Sequence, residues 1–276
     1  MYNFLRFPGF KMKAVTLNYD DGTVFDKKLI EIMTQYGLKG TFNLNSGNFG
    51  KGRVMPVEDA LALYEQNGME VACHGLKHWA LTELNNTQAV KELLDDRINM
   101  EKLFGHLVPG LAYANGRINA EKAAIVKELG FHYSRTTVST EKFDLPSDWI
   151  QMPATCKHTN PRLMELCDTF LAPKDEGRIW SRKAQWFLLW GHSYEFNDDD
   201  NWNVIEDFAK KMGNRDDVWY ATTGEVYDYV RAYHSLEYSA DGSFFVNPTA
   251  IDVYLCYFGT QILVPAGGTA KAPEKA

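Results

Sequence analysis

Seven times along this chain a short apolar run is followed by an amphipathic segment, and this alternation limits the fold more than any other feature. The runs at 13–19, 40–45, 69–73, 110–113, 131–134, 186–190 and 218–221 have the length and content of buried strands. The segments at 26–36, 57–66, 87–104, 120–129, 162–171, 202–212 and 225–233 have the spacing of helices with one buried face. Asn119 is a start signal for the fourth helix, and Gly37 and Gly130 are stop signals for the first and fourth. Strand–helix repeats without a break in composition predict a single α/β domain with a parallel sheet. An open doubly wound sheet and a closed barrel satisfy the pattern equally.

The repeats fill residues 1–236. Beyond them, 237–246 and 251–258 read as two strands around Asn247-Pro248, a β-hairpin extension of the same domain over 237–264. Residues 265–276, rich in Gly, Ala, Lys and Pro, read as a flexible tail. One long irregular stretch, 136–160, carries Pro146 and Pro153 between the fifth strand and helix, a place where loops often serve function.

With 276 residues, 45% of them hydrophobic, the chain has ample material for a core. Its 36 acidic and 29 basic residues leave a net charge of -7 without a basic block, which argues against a nucleic-acid partner. Cys73, Cys156, Cys167 and Cys256 lack C-x-x-C spacing, so they read as free thiols of a reducing compartment rather than a zinc cluster. Residues 1–13 have no signal-peptide apolar region, and no run approaches the ~20 residues of a membrane span. The expectation is a cytoplasmic protein with no membrane partner, its oligomeric state left open.

The polar residues that interrupt this pattern collect where strands end. Leu17-Asn18-Tyr19-Asp20-Asp21-Gly22 places two adjacent carboxylates at the end of the first apolar run. Neighbouring side chains on a strand point to opposite faces, so both acids enter one pocket only if the backbone turns there. Such a turn suits one acid for a metal and one for a proton, and it also suits an ordinary Asp-Gly turn. His74 and His78, after the third strand, are four residues apart and able to reach one ion. His192 follows the sixth strand. In α/β proteins the pocket forms at the carboxyl ends of the strands, where all five residues fall. Two histidines and one carboxylate leave a coordination position open, as catalytic sites do.

Here the residues resemble the polysaccharide deacetylases of the carbohydrate esterase family four type. The family signature T-F-D-D-G is matched by Asn18-Tyr19-Asp20-Asp21-Gly22 with two changes before the acids, and the histidine signature by His74-Gly75-Leu76-Lys77-His78. The late L-x-H signature is matched by Leu189-Trp190-Gly191-His192 with one extra residue, and the likeness covers roughly 13–232. It implies a distorted (β/α)7 barrel. It also implies Asp21, His74 and His78 as ligands of one divalent metal, Asp20 as general base and His192 as general acid. Zinc suits two imidazoles and a carboxylate best, with nickel, cobalt and iron as alternatives.

Two signatures depart. The third, R-x-P-Y-G, aligns with Ala112-Tyr113-Ala114-Asn115-Gly116, which lacks the arginine that orients the base in the family; Arg135 is the candidate substitute. Tyr113 and Asn115 are candidates for contact with substrate or oxyanion, Asn115 through its backbone N–H. The fourth pairs an acid with a tryptophan wall; Asp148-Trp149 is the nearest match, with Asp144 a further acid. Trp190, Tyr194 and Phe196 flank His192 and are candidates for stacking on a sugar ring. The implied activity is metal-dependent removal of an acetyl group from the nitrogen or oxygen of a sugar. The alternatives are hydrolysis of a small non-carbohydrate amide and a carbohydrate binder without activity.

Overall fold

The computed structural model describes residues 3–173 and 183–273. A short strand, β1 (Asn3–Arg6), precedes the first repeated unit. The units begin with β2 (Lys13–Asp20) and α1 (Asp26–Gln35), then β3 (Gly40–Leu44) and α2 (Val57–Gln66). Next come β4 (Glu70–Cys73) with α3 (Asn86–Phe104) and β5 (Gly110–Ala112) with α4 (Ala120–Glu128). After β6 (Tyr133–Ser139), the stretch expected to be irregular contains two strands, β7 (Met152–Ala154) and β8 (Cys156–Lys157), before α5 (Leu163–Leu171). β9 (Gln185–His192) leads to α6 (Ser193–Asp198) and α7 (Asn203–Met212), and β10 (Val218–Tyr220) to α8 (Thr223–His234). Every strand–helix pair read from the periodicity is present. The starts of α3 and α8 are fixed by reciprocal caps, Asn85 with Gln88 and Thr222 with Glu225, and Asn119 caps α4.

All of β2 is buried, which requires neighbours on both edges and cover on both faces. β9 pairs with it in parallel along its whole length, bringing Asp20 level with His192. The other edge of β2 is shared, β10 pairing with Lys13 to Val15 and β3 with Leu17 to Asp20. From β3 the parallel path continues through β4, β5, β6 and β7, while β8 lies outside β9. Only Thr155 separates β7 from β8, so a single segment ties the β6 edge to the β9 edge. The nine-stranded sheet thereby curls into the distorted barrel that the resemblance implied.

Alternation along β2 and β9 sorts the core. Val15, Leu17, Tyr19, Phe187 and Leu189 belong to the cluster packed against helices α1 to α5 and α7. Ala14, Trp186, Leu188 and Trp190 face the other way, into a second cluster with Tyr133 and the α8 residues Val226, Tyr229 and Val230. All four cysteines are free and buried.

The C-terminal extension is larger than one hairpin. β11 (Glu237–Tyr238), β12 (Phe244–Val246) and β15 (Thr269–Lys271) form one antiparallel sheet, and β13 (Val253–Tyr257), β14 (Thr260–Val264) and β1 form another. The hairpin turns at Phe258-Gly259, both with positive φ, rather than at Asn247-Pro248. Two residues of that conformation fit the right-handed twist of the flanking strands. Residues 269–271, expected in a flexible tail, instead pair with β12 because an edge with free backbone groups lies beside them. Residues 274–276 of that tail lie outside the described residues.

Because β1 pairs with β13, the two ends of the chain stabilise one another, with Leu5 beside Leu255. Leu255 is fully buried. Leu255→Ala is expected to lower the unfolding free energy by about 2–5 kcal/mol in urea titration. A loss below about 0.5 kcal/mol would mean that the extension folds independently of the barrel.

Candidate active site

The sheet register assembles the site. Asp20 ends β2 with His192 beside it on β9 and Asn43 beside it on β3. The chain turns at Asp21, whose φ of 77° lies in the left-handed region. That turn lets two consecutive carboxylates enter one pocket. β4 ends at Cys73, so His74 and His78 occupy the loop that follows it on the same rim.

Asp21, His74 and His78 each offer one ligand atom, and these atoms lie within 4.8 Å of one another. Asp21 Oδ1 is 3.6 Å from His74 Nε2 and 3.5 Å from His78 Nε2. His74 Nδ1 is 2.8 Å from the carbonyl of Ala112; a carbonyl only accepts, so the proton sits on Nδ1. Nε2 is then a lone-pair donor, buried without a hydrogen-bond partner and directed at Asp21. Burial lowers the pKa of His74 against the opposing pull of Asp20 and Asp21, which keeps the ring neutral. An orphaned imidazole nitrogen facing a carboxylate and a second imidazole is the donor set of a divalent transition metal. The residues present therefore fit the ion that the resemblance implied.

Asp20 is held differently. Both of its oxygens lie 2.5 Å from Arg135 Nη2, and Asn43 Nδ2 donates to Oδ1 at 2.8 Å. Arg135 also donates through Nε to Asn18 Oδ1 at 2.7 Å and lies over the ring of Trp190. It is almost wholly buried, so this is an interior ion pair rather than a surface one. Burial alone would raise the Asp20 pKa; Arg135, His74 and His192 outweigh it and bring the value down to about 2. The carboxylate is ionised at neutral pH. Since the folded value is the lower one, this pair stabilises the fold above the ordinary carboxylate range. That contribution is lost as pH falls from about 4 towards 2.

His192 Nε2 is 3.9 Å from Asp20 Oδ2 and 4.0 Å from Asp21 Oδ2. Its Nδ1 is 3.2 Å from Glu195 Oε2, and His158 Nε2 is also 3.2 Å from that oxygen. Both rings are within ion-pair distance of Glu195 without the alignment of a full hydrogen bond. Lys157 completes the group at 2.5 Å from Oε1. Burial works against a charged His192, but Glu195, Asp20 and Asp21 prevail and raise its pKa above the ordinary histidine value. Glu195 is pushed the other way: burial opposes its charge, and His158, His192 and Lys157 overcome it and lower its pKa.

The remaining expectations divide. Trp190 is buried beside His192, ring centroids 5.9 Å apart, with Arg135 and Lys157 over its ring. Tyr194 stacks obliquely on His192 at 5.1 Å, whereas Phe196 is wholly buried against His158 and Tyr19. The Tyr113 hydroxyl donates to the carbonyl of Ile150 at 2.7 Å and so fastens the long loop. Asn115 is exposed, with a positive φ, in the turn after β5. Trp149 packs on Trp186 and edge-on to Tyr227. Trp186 lies six residues before His192, about 20 Å of extended strand. Asp148 is exposed and caps Ile150 N, so Asp148-Trp149 is not brought to His192. Glu195 is the acid beside that histidine. Its signal was a His-x-x-Glu spacing at the start of a helix, which matches a capping box.

A groove of about 360 Å³ opens beside this centre, lined by Asp21, His78, Asn45, Asn48, Arg53 and Tyr194 among others. Across its outer end Arg53 pairs with Asp198 at 2.6 Å.

Comparison with known proteins agrees with this architecture. The family described as polysaccharide deacetylase matches residues 9–134, which include Asp20, Asp21, His74 and His78. A chitin deacetylase of Arthroderma benhamiae is 33% identical over 86 residues, 30% of this chain and 23% of the relative. The match thus spans less than a quarter of that relative's length. A Mycobacterium smegmatis protein described as a polysaccharide deacetylase superposes with a TM-score of 0.62 at 17% identity, over 83% of this chain and 94% of the other. A Streptococcus pyogenes deacetylase solved with acetate gives 0.51 at 19% identity, over 56% of this chain and 69% of the other. At such identities these two structures speak for the fold alone. Among the described residues no helix is long and apolar enough to cross a membrane.

Removing the Arg135 charge tests the interior pair. Arg135→Met leaves Asp20 as a buried, uncompensated carboxylate and is expected to cost about 3–5 kcal/mol in urea unfolding at pH 7. A loss under about 1 kcal/mol would mean that other groups neutralise Asp20. Over residues 9–134 this chain is similar in sequence to the polysaccharide deacetylase family, and over most of its length it shares the fold of a Mycobacterium smegmatis protein described as a polysaccharide deacetylase.

Proposed function

We propose that this protein is a metal-dependent hydrolase that removes the acetyl group from an N-acetylated sugar. One observation carries the reading: the Asp21–His74–His78 triangle has an ionised carboxylate, Asp20, and an imidazole of raised pKa, His192, within 4.0 Å of its members. A bound divalent ion, zinc for preference, would be held by Asp21, His74 and His78 and would supply polarisation of the attacking water and the acyl oxygen.

The chain's own residues supply the proton chemistry. Asp20 accepts the proton of the attacking water, its orientation fixed by Arg135 and Asn43. His192, kept protonated by Glu195, Asp20 and Asp21, delivers a proton to the departing nitrogen. An amine is a poor leaving group without that proton, whereas an ester oxygen depends on it less. The buried Trp190 beside His192 and Arg135 excludes water from that side. Asn45, Asn48, Arg53 and Tyr194 line the adjacent groove with groups that pair with sugar hydroxyls.

Acetate release from N-acetylglucosamine oligomers, compared with a panel of small amides, tests the reading together with zinc titration. The expected result is about one zinc per chain and turnover of the sugars. His78→Ala is expected to lose both, and Asp20→Asn to keep zinc and lose at least ~100-fold in kcat. Turnover of the amides alone would overturn the substrate class, and zinc lost in Asp20→Asn would overturn the division of roles.

A pH profile tests the pairing of Glu195 with His192. Because Glu195 favours the protonated ring, Glu195→Gln lowers the His192 pKa. The basic limb of kcat/KM is then expected to move to lower pH by about one unit. An unmoved limb would show that His192 is not the acid.

A further inference from the structure

The loop that carries His74 and His78 has no regular structure of its own, and its shape is imposed from α3. Two carboxylates one turn apart on that helix, Glu92 and Asp96, are buried to 3% and 0% exposure. Buried like charges at this spacing destabilise a helix unless something else uses them. Their hydrogen bonds run to backbone N–H groups of the site loops. Asp96 Oδ2 accepts from His74 N at 3.2 Å, and Oδ1 accepts from Ser46 N at 2.8 Å. Glu92 Oε1 accepts from Lys77 N at 2.7 Å and Trp79 N at 3.3 Å, the residues on either side of His78. The Glu92 carbonyl accepts a further bond from Leu76 N.

Two backbone features show why the loop needs this support. His78 has a φ of 65°, a left-handed conformation unfavourable for a residue with a side chain, and both of its neighbours are tied to one oxygen. Gly75 has a φ of 84°, and a Cβ there would come within 3.0 Å of Glu92 Oε1. From the other side Asn45 Nδ2 donates to the carbonyls of His74 and Gly75, both at 2.7 Å.

We propose that Glu92 and Asp96 are positioning residues for the metal: together they hold His74 and His78 in the ligating arrangement before any ion arrives. The proposal rests on the metal reading of the site given above. Geometry makes it specific, because Glu92 uses one oxygen on the histidine loop, whereas Asp96 uses both, Oδ2 on His74 N and Oδ1 on Ser46 N of the adjoining loop. An amide preserves one acceptor and replaces the other by a donor. Glu92→Gln therefore retains the clasp, whereas Asp96→Asn sets an NH2 against a backbone N–H, and Glu92→Ala removes the clasp altogether.

The test is zinc affinity of the full chain by competition with a chromophoric chelator, with circular dichroism and the Tm of the metal-free protein as the check on folding. Glu92→Ala and Asp96→Asn are expected to bind zinc about 10–100-fold more weakly, as outer partners of metal ligands do when removed. Glu92→Gln is expected to stay within about threefold of wild type. Wild-type affinity in folded Glu92→Ala and Asp96→Asn overturns the proposal, as does a Glu92→Gln as weak as Glu92→Ala. If Glu92→Ala does not fold, the isosteric Asp96→Asn decides alone. Absence of zinc binding in the wild type would overturn the metal reading itself, which separates the two failures.

Discussion

The buried contact between Arg135 and Asp20 is the constraint on which the rest of the site depends. An ionised carboxylate excluded from water persists only with a compensating charge and satisfied oxygens. Arg135 provides the charge, Asn43 a further hydrogen bond, and Asn18 accepts from both Arg135 Nε and Asn43 Nδ2. Trp190 covers the guanidinium. These groups come from β2, β3, β6 and β9, so the barrel has to curl for them to meet. The same closure leaves Asp21 at the rim, free to turn towards His74 and His78.

The register explains how Arg135 reaches this place. The family likeness put the base-orienting arginine at Ala112, where there is only a methyl group. Ala112 on β5 is paired with Arg135 on β6. The guanidinium therefore approaches from the next strand at the same level, and a long side chain spans the added width. Ala112 retains a part in the site through its carbonyl, which fixes the His74 tautomer. Glu195 parallels this case: the acid beside His192 comes from the helix that follows it rather than from the long loop that carries Asp148 and Trp149.

How much of this was legible in the sequence follows from what sets each feature. The seven strands and helices were readable because burial of one helix face or of a whole strand imposes a period on a dozen residues at a time. Asp20, Asp21, His74, His78 and His192 were readable as a group because strands that end on one rim bring their following residues together. β1, β7, β8, β14 and β15 were missed: in β7, β8 and β15 two or three residues carry no period and form strands only because an unpaired edge lies alongside, and β1 and β14 are strands through their pairing with β13. The partners of the site residues were harder still. Glu92, Asp96 and His158 sit in helix or loop positions that look solvated or incidental, and only tertiary packing turns them inward. Arg135 could be named as a candidate, but its burial depended on a register that pattern alone does not determine.

The central claim is that Arg135 holds Asp20 as a buried, ionised carboxylate beside Asp21, His74 and His78. Titration of the Asp20 carboxyl carbon by 13C NMR in the metal-free protein tests this most directly. The account predicts a carboxyl that stays ionised until the pH approaches about 2. A midpoint at or above the ordinary aspartate value of about 4 would contradict it, because Asp20 would then be an uncompensated acid with no claim to serve as the base.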